Sequence, residues 1–562
     1  MEGQTAAGIL CRVTECIKNK THAKYANLER EKAMKQFSLK RLLGAAAIAG
    51  SLAFASGAAT EAKAEGGTFV WGISSEMSIL DPHVACGWLT TNAIHSIFEG
   101  LVMLDLSDPN AKNASLKPAI AESWTVNDDG TVYTFAIREN VRFHDGTSVD
   151  ADVVKWNYDR FMDTGAEHAF DQAQAYLGYY TRWIKSVEVT GPMTVKITLN
   201  ETNYEWLQMG VVACGMPMIA SPTAIQAMGN EQFALTPVGT GPFKFVEREQ
   251  NIKLVMDRNE DYWGENAKIE RLIFQPLPDQ ATRLNAIRAG EVSMIMEAPW
   301  EELENLKNEG FTVTTNENIP SIWLLFFNHK NPIMQDVRVR KAINMAIDRD
   351  AIADGILKGT GRPEMGMLSP GTYAYKPGYA PIKYDPEGAK ALLAEAGYPD
   401  GLELDFDIYE YGYNEVWEKS IQRDLKKVGI NAKLNKIEWI TYMGKWLQGM
   451  PPELQMNEIG WGWTIPFWTQ VMTRCDYHPP NGFNVGWYCN PEVDKLFDEA
   501  VKQKDKAKAA ALYQQANDII IGQDFGYAVK FTYKNPLVLS PSVKHFVNPP
   551  ANWYDFSIIE LE

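Results

Sequence analysis

Histidine and cysteine are scarce in this sequence, and their spacing forms no recognised metal or redox motif. The chain of 562 residues contains 8 His and 6 Cys. No CxxC pair occurs, which excludes a thioredoxin-type redox motif and a local structural zinc site. HExxH, GxSxG, GxGxxG and Walker-type loops are also absent, so no zinc protease, nucleophile elbow or nucleotide-binding loop is indicated. We therefore expect no cofactor and no resident metal.

Positive charge is also in short supply. Lys and Arg total 54 against 71 Asp and Glu, which gives a net charge of −17. Nucleic-acid binding needs a surplus of Lys and Arg, so nucleic acid is excluded as the main partner. The apolar content of 45% is that of a folded protein. A single core rarely exceeds about 250–300 residues, so the length predicts two or three domains.

Long hydrophobic runs are missing except near the N-terminus. Residues 42–59 form an apolar run after a basic patch, and Ala62-Lys63-Ala64 follows it. This tripeptide fits the small-x-small rule of signal peptidase. We predict a signal peptide at 34–64 and interpret 1–33 as an upstream extension from a misassigned start. Export follows from this prediction, and an uncleaved N-terminal anchor is the alternative.

Four cysteines lie beyond the predicted signal peptide, namely Cys86, Cys214, Cys475 and Cys489. An even number in an exported chain permits disulfides but leaves three pairings open. Cys475–Cys489 is the pair that is easiest to close, and its loop would contribute ~3 kcal/mol of stability in the chain-entropy model. Four thiols that never pair are the alternative.

Helical and strand patterns alternate along the chain. Tyr133, Phe135 and Ile137 alternate with polar residues and predict a half-buried strand. Asp385-Pro386 predicts a helix start, and Gly397 predicts its end. Because helices and strands alternate in the C-terminal half, we expect an α/β fold with a mixed sheet covered by helices.

Taken in order, the sequence resembles the extracellular solute-binding proteins of ABC transporters, family 5, which bind peptides, nickel, oligosaccharides or opines. The resemblance rests on a series of short sequence blocks. Each block is weak evidence by itself, but together the blocks occur in the family's order and cover nearly the whole exported chain. The blocks are residues 78–83, 98–101, 121–124, 135–138 with 141–146, 239–243, 258–263, 336–342 with 346–349, and 384–386 with 396–398. We interpret the blocks as structural: Gly239 and Gly241 would allow a positive φ or a close backbone approach.

The resemblance implies a two-lobed periplasmic-binding-protein-like fold, class II and of the large type, with an extra third domain and a ligand cleft between the lobes. Two chain crossings between the lobes would form a hinge, so capture by lobe closure is implied. By analogy, the domain boundaries are 65–98, 200–315 and 536–562 for lobe I, 99–199 for the extra domain, and 316–535 for lobe II.

The resemblance also implies the role. The protein would be a periplasmic, monomeric binding component that delivers a small solute to an ABC permease at the inner membrane, with no chemistry of its own. A secreted carbohydrate-active enzyme with an aromatic cleft is the alternative.

One departure from the family pattern bears on the ligand. Peptide-binding relatives carry an acidic residue shortly after a Gly-Trp pair, where it neutralises the peptide α-ammonium. This chain reads Gly460-Trp461-Gly462-Trp463-Thr464, so Thr464 stands where an Asp is expected. Burying an unpaired cation is costly. Glu458 could compensate, but the departure argues against free peptides.

Aromatic residues surround this segment. Trp439 matches a ligand-contacting Trp of peptide binders, Trp446 stands where the oligopeptide-binding relative has a basic residue, and Trp461 and Trp463 follow. Flat rings beside polar groups suit sugar rings, whose C–H faces stack on indoles. Filling of the core between sheet and helices is the alternative for these residues.

The first strand region supplies the other candidate wall of the cleft. Glu76, Met77 and Ser78 occupy the stretch that faces the ligand in peptide binders, and Trp88 follows. Glu76 could stand in for the missing Asp, or it could be a carboxylate at the cleft edge. We rank an oligosaccharide or sugar conjugate, including opine-like compounds, first and short peptides close behind, with nickel complexes and haem last.

Overall fold

The computed structural model describes residues 66–562 apart from 78, 86, 109, 212–215, 411–413, 463 and 552. The predicted upstream extension and signal peptide lie outside the described residues. In the described part of the chain, no helix has the length and apolar character needed to cross a bilayer.

Strands and helices alternate through most of the chain. The strands are β1 Thr68–Ile73, β2 Val102–Asp105, β3 Ser115–Pro118, β4 Ala121–Val126, β5 Val132–Ile137, β6 Ile184–Gly191, β7 Thr194–Leu199, β8 Phe243–Glu249, β9 Lys253–Arg258, β10 Arg271–Pro276, β11 Met294–Met296, β12 Thr312–Thr314, β13 Ser321–Phe327, β14 Gly361–Pro363, β15 Leu402–Tyr409, β16 Ile430–Ile437, β17 Met456–Gly462, β18 Tyr527–Tyr533, β19 Leu537–Leu539, β20 Val543–His545 and β21 Glu560–Leu561. The α-helices are α1 Trp88–Ile97, α2 Ala151–Met162, α3 Asp171–Thr181, α4 Trp206–Met209, α5 Pro222–Phe233, α6 Gln280–Ala289, α7 Leu303–Asn308, α8 Pro332–Gln335, α9 Val337–Ala346, α10 Arg349–Gly355, α11 Pro386–Glu395, α12 Asn414–Lys427, α13 Trp439–Trp446, α14 Phe467–Thr473, α15 Pro491–Val501 and α16 Lys506–Asn517.

Local sequence signals explain where many helices begin. Asp150, Ser221, Asp279, Asp385 and Asn490 each accept a hydrogen bond from a backbone N–H of the following first turn. These side chains satisfy N–H groups that have no partner within the helix. The helix predicted to start at Asp385 is confirmed as α11.

Three larger sheets organise the fold. The first has the strand order β12-β19-β11-β1-β10-β9-β8, the second β14-β18-β13-β17-β15-β16, and the third β4-β5-β7-β6. In the first sheet β1 runs parallel to β10 and β11, and in the second β15 runs parallel to β16 and β17. Other pairs are antiparallel, so both sheets are mixed, and the mixed sheet predicted for the C-terminal half is confirmed as the second one. The domain boundaries themselves stay a prediction.

The chain passes from the first sheet to the second between β12 and β13, and it returns between β18 and β19. The two crossings are tied together, because Lys534 on the return path forms an ion pair with Glu317 on the outward path. Arg362 also reaches Glu317, with Nη1 3.1 Å from Oε2. Two adjacent crossings of this kind are the arrangement expected of a hinge.

Three of the sequence blocks that carry the family resemblance meet inside the protein. The buried carboxylate of Glu99 accepts hydrogen bonds from Thr240 Oγ1, Tyr262 Oη and Trp263 Nε1, at 2.8, 2.7 and 2.7 Å. A Cβ on Gly239 would lie 2.1 Å from the carbonyl oxygen of Ile97. The close backbone approach predicted at Gly239 is therefore confirmed, and the blocks act structurally here.

Candidate functional site

The sequence-predicted site residues lie next to the carboxyl ends of parallel strands. Glu76 and Met77 follow β1, Trp439 follows β16, and Thr464 follows β17. In open α/β sheets, ligands bind in the crevice beyond these strand ends. The structure therefore places residues from three separate segments at the edges where such a crevice forms.

An aromatic cluster joins the two larger sheets at this place. Trp300, on the segment after β11 of the first sheet, lies against Trp417 of α12, with ring centroids 6.4 Å apart and planes 24° apart. Trp300 Nε1 donates to Tyr533 Oη at 3.3 Å. Trp417 in turn contacts Trp323 and Phe531, at 5.0 and 5.2 Å between centroids. We call these five residues the aromatic wall.

Buried polar atoms in and near the aromatic wall have no hydrogen-bond partner among the described residues. The indole Nε1 atoms of Trp323 and Trp417 are two of them. Thr464, outside the wall, is 1% exposed, and its Oγ1 has no partner in the same described part of the chain. Buried polar groups are nearly always satisfied, and leaving one unpaired costs about 1–3 kcal/mol. Oxygen atoms of a solute are acceptors suited to the two indole N–H groups.

Arg283 holds the segment that carries Trp300. This buried guanidinium donates from Nη1 to the carbonyls of Leu277 and Pro278, at 2.6 and 2.9 Å, and from Nε to Met296 O at 3.2 Å. Its Nη2 lies 3.5 Å from the carboxylate of Glu297, whose φ is 53°. Positive φ is strained for a residue with a side chain and persists where the surroundings enforce it. Arg283 thus links the ends of β10 and β11.

A buried ionic cluster lies directly behind the aromatic wall. The ammonium of Lys530 on β18 is 2.7 Å from Glu458 Oε2 and also pairs with Glu418. All three side chains are fully buried. Burial and the charge of Glu458 raise the pKa of Glu418 well above its usual range. The cluster therefore contains one ion pair and a second carboxyl that tends to keep its proton.

The two carboxylates considered as countercharges for a ligand have partners within the protein. Glu458 pairs with Lys530 and also accepts from Asn414 Nδ2 at 3.1 Å. Glu76 lies 2.8 Å from Arg248 Nη2, and it accepts the backbone N–H of Asn251. Neither carboxylate is left to neutralise a buried ligand cation by itself.

The other predicted residues of the first wall lie in the interior or beside it. Met77 packs in the core under the first sheet. Trp88, half-buried at the start of α1, contacts Trp71 and Tyr554, at 5.7 and 6.1 Å between centroids. Ser78 lies outside the described residues.

The predicted tryptophans on α13 and β17 pack against other aromatic rings. Trp439 packs on Tyr409 with centroids 4.9 Å apart. Trp446 and Trp461 stack at 5.8 Å, and both contact Phe483. Gly462 pairs with Ser321 at the end of β17. Trp463 lies outside the described residues.

The residues of the aromatic wall were not found from the sequence. Trp300 and Trp417 lie in none of the sequence motifs or blocks described above. They meet because the segment that follows β11 packs against α12, with the ring centroids of Trp300 and Trp417 6.4 Å apart. A local pattern carries no signal of such a contact.

A disulfide joins Cys475 and Cys489. Between them, Asp476 pairs with Arg182 at 2.7 Å, so the bridged loop contacts the end of α3. Cys86 and Cys214 lie outside the described residues. Among the described residues, no group of three or more His, Cys, Asp or Glu is arranged to hold a metal ion.

The comparisons with known proteins agree on one family. The sequence model of the "Bacterial extracellular solute-binding proteins, family 5 Middle" matches residues 115–476. The glutathione-binding protein GsiB of Shigella flexneri is 30% identical over 461 residues, which are 80% of this chain and 86% of that protein.

Two solved structures extend the comparison. The periplasmic binding protein DppA from Helicobacter pylori, in complex with the peptide STSA, matches with a TM-score of 0.79 and 26% identity over 88% of this chain and 98% of that chain. AgaA from A. tumefacien R10, in complex with agropinic acid, matches with a TM-score of 0.76 and 25% identity over 88% of this chain and 99% of that chain.

Proposed function

Since the chain belongs to the bacterial extracellular solute-binding proteins of family 5, we propose that its inter-lobe cleft holds an oxygen-rich sugar conjugate of the opine type. The chain is the solute-binding component of an ABC importer and not an enzyme. In this proposal the exported protein acts as a monomer in the periplasm. It closes on the solute and hands it unchanged to its permease.

The observation that carries the proposal is the pair of unsatisfied indole N–H groups in the aromatic wall. In this proposal, closure brings Trp300, on the segment after β11, onto Trp417 of α12 and excludes water from between them. Hydroxyl or carboxylate oxygens of the solute accept from Trp323 and Trp417, and ring faces stack on its C–H groups. The wall thus recognises oxygen-bearing rings or chains.

Charge supports the same class of solute. A peptide brings an α-ammonium, which needs a carboxylate in a closed cleft. The two candidate carboxylates, Glu76 and Glu458, are paired with Arg248 and Lys530. Short peptides are nevertheless the second candidate, because GsiB and DppA are named with a glutathione and a peptide ligand.

A thermal-shift screen tests the proposal, because a ligand that binds only the native state raises Tm. The panel contains agropinic acid, maltotriose, glutathione and trialanine. We expect agropinic acid or maltotriose to raise Tm and the free peptides to have little effect. A larger shift with glutathione or trialanine would instead favour the peptide candidate.

The variant Trp417→Phe then tests the aromatic wall. It keeps a ring and removes one indole N–H, so we expect affinity for the active solute to fall about fivefold to tenfold, as for one net hydrogen bond. Trp156→Phe, on α2 and outside the wall, is the matched control and should bind like the wild type. Equal affinity of the two variants for the solute would show that the aromatic wall is not part of the binding site.

A further inference from the structure

A cavity lies within the part of the chain that carries the second sheet. It has a volume of about 520 Å³ and is lined by β15, β16 and β17, by α13 and by the loop after it. We call it the lateral cavity. Its lining includes none of the five aromatic-wall residues. Its size falls within the range of small-molecule sites, about 300–1,000 Å³.

Strand register places the polar groups of the lateral cavity side by side. Asp407 on β15 pairs with Asn435 on β16 and with Asn457 on β17. Asn435 Nδ2 donates to Asp405 at 3.1 Å and to Asp407 at 3.0 Å. The side-chain amide of Asn435 thereby holds the carboxylates of Asp405 and Asp407 at the same face of the sheet.

Two further side chains of the lining are buried and incompletely satisfied. Asn457 is 3% exposed and Trp446 is 2% exposed, and within the described residues neither Asn457 Oδ1 nor Trp446 Nε1 has a hydrogen-bond partner. Asn457 Oδ1 is a hydrogen-bond acceptor, and Trp446 Nε1 is a hydrogen-bond donor. Leaving such groups unpaired is unfavourable, so a ligand that both donates and accepts hydrogen bonds complements the lining.

The charged residues around the lateral cavity indicate which class of ligand it can bind. The lining contains the acidic residues Asp405, Asp407 and Glu453 and one lysine, Lys445. Lys433 lies 3.4 Å from Asp405 and offsets part of the negative charge. A solute with a net positive charge and one carboxylate matches this balance.

We propose that the lateral cavity binds a basic α-amino acid. Its cationic groups lie against Asp405, Asp407 and Asn457 Oδ1, and its carboxylate lies against Lys445 and Trp446 Nε1. Charge-assisted hydrogen bonds of this kind are the stronger ones in proteins. The site is independent of the solute bound at the aromatic wall.

Calorimetric titration of the purified protein with L-arginine tests the site. We expect Asp407→Asn to weaken L-arginine binding about tenfold or more, because it removes charge while its amide oxygen still accepts from Asn435. Glu403→Gln is the matched control, since Glu403 is an exposed acid on the same strand. This control should bind L-arginine like the wild type.

The variant Trp417→Phe tests whether the lateral cavity and the aromatic wall bind their ligands independently. Trp417→Phe should leave L-arginine affinity unchanged, and agropinic acid should not displace L-arginine. No heat of binding with the wild type, equal affinity for Asp407→Asn, or loss of binding in Trp417→Phe would each overturn the proposal. If Asp407→Asn does not fold, as judged by its thermal transition, Lys445→Met replaces it and should also weaken L-arginine binding.

Discussion

Buried charged side chains in this protein are held by specific partners. Arg160 pairs with Asp81 at 2.5 Å, and Arg349 donates to the carbonyls of Val529 and Asn344 at 2.7 and 3.0 Å. Lys530 lies between two carboxyl groups behind the aromatic wall. Taking a charge out of water costs several kcal/mol, so each such group depends on its partner.

Replacing Lys530 tests this dependence. Lys530→Met leaves Glu458 buried without its cation, so we expect the free energy of unfolding to fall by about 3–5 kcal/mol. Urea unfolding measures the change. Lys436→Met is the control, because Lys436 pairs with Glu415 at the surface and such pairs contribute at most about 1 kcal/mol. Equal losses for the two variants would contradict the role given to Lys530.

At the scale of elements, strand ends are positioned by a helix side chain. Helix α6 connects β10 to β11, and its Arg283 reaches back to the residues that follow both strands. Arg288 on the same helix points outward and pairs with Glu302 and Glu309 at 2.7 Å each. One helix thus carries a buried and an exposed arginine with different roles.

This pair of arginines provides a matched comparison. Arg283→Met removes the donors of three buried carbonyls and the cation beside Glu297, so we expect a loss of about 3–5 kcal/mol in the free energy of unfolding. Arg288→Met should lose about 1 kcal/mol or less, because its pairs are partly exposed. Urea unfolding measures both variants. A larger loss for Arg288→Met would refute the assignment.

At the scale of the whole molecule, distant parts of the chain meet at a buried carboxyl. Glu205 follows the third sheet and accepts from Tyr513 Oη at 2.6 Å and from Tyr373 Oη. Both tyrosines belong to the part of the chain that carries the second sheet. Burial raises the pKa of Glu205 above its ordinary value.

The raised pKa predicts a pH dependence of stability. The folded protein keeps the Glu205 proton at pH values where the unfolded chain, with a pKa of about 4.3, has lost it. The contribution of Glu205 to the free energy of unfolding is therefore complete below the pKa of the unfolded chain, and it declines as pH rises through the raised pKa of the folded protein.

The variant Glu205→Gln has a side chain without an ionisable group at this position. We expect the difference in free energy of unfolding, wild type minus variant, to fall between about pH 4 and the raised pKa and then to level off. Urea unfolding across this pH range measures it. A difference that stays constant or rises with pH would contradict the prediction.

Local signals in the sequence determined the elements and the family. Asp385 accepts from Gly388 N at 2.8 Å, and Gly397 has a φ of 98°, so α11 begins and the chain turns after it as predicted. Capping and turn preferences act within a few residues, which is why they can be read directly. The ordered blocks likewise identified the family, and Glu99 explains why three of them belong together.

Only the tertiary structure decided which side chains meet. Trp300, Trp323 and Trp417 carry no shared local pattern, because contacts between sheets depend on how the layers pack. Glu458 looked like a spare carboxylate in the sequence, yet Lys530 lies beside it from a strand 72 residues later. Periodicity shows which face of an element is buried, but the partner across that face follows from the three-dimensional packing.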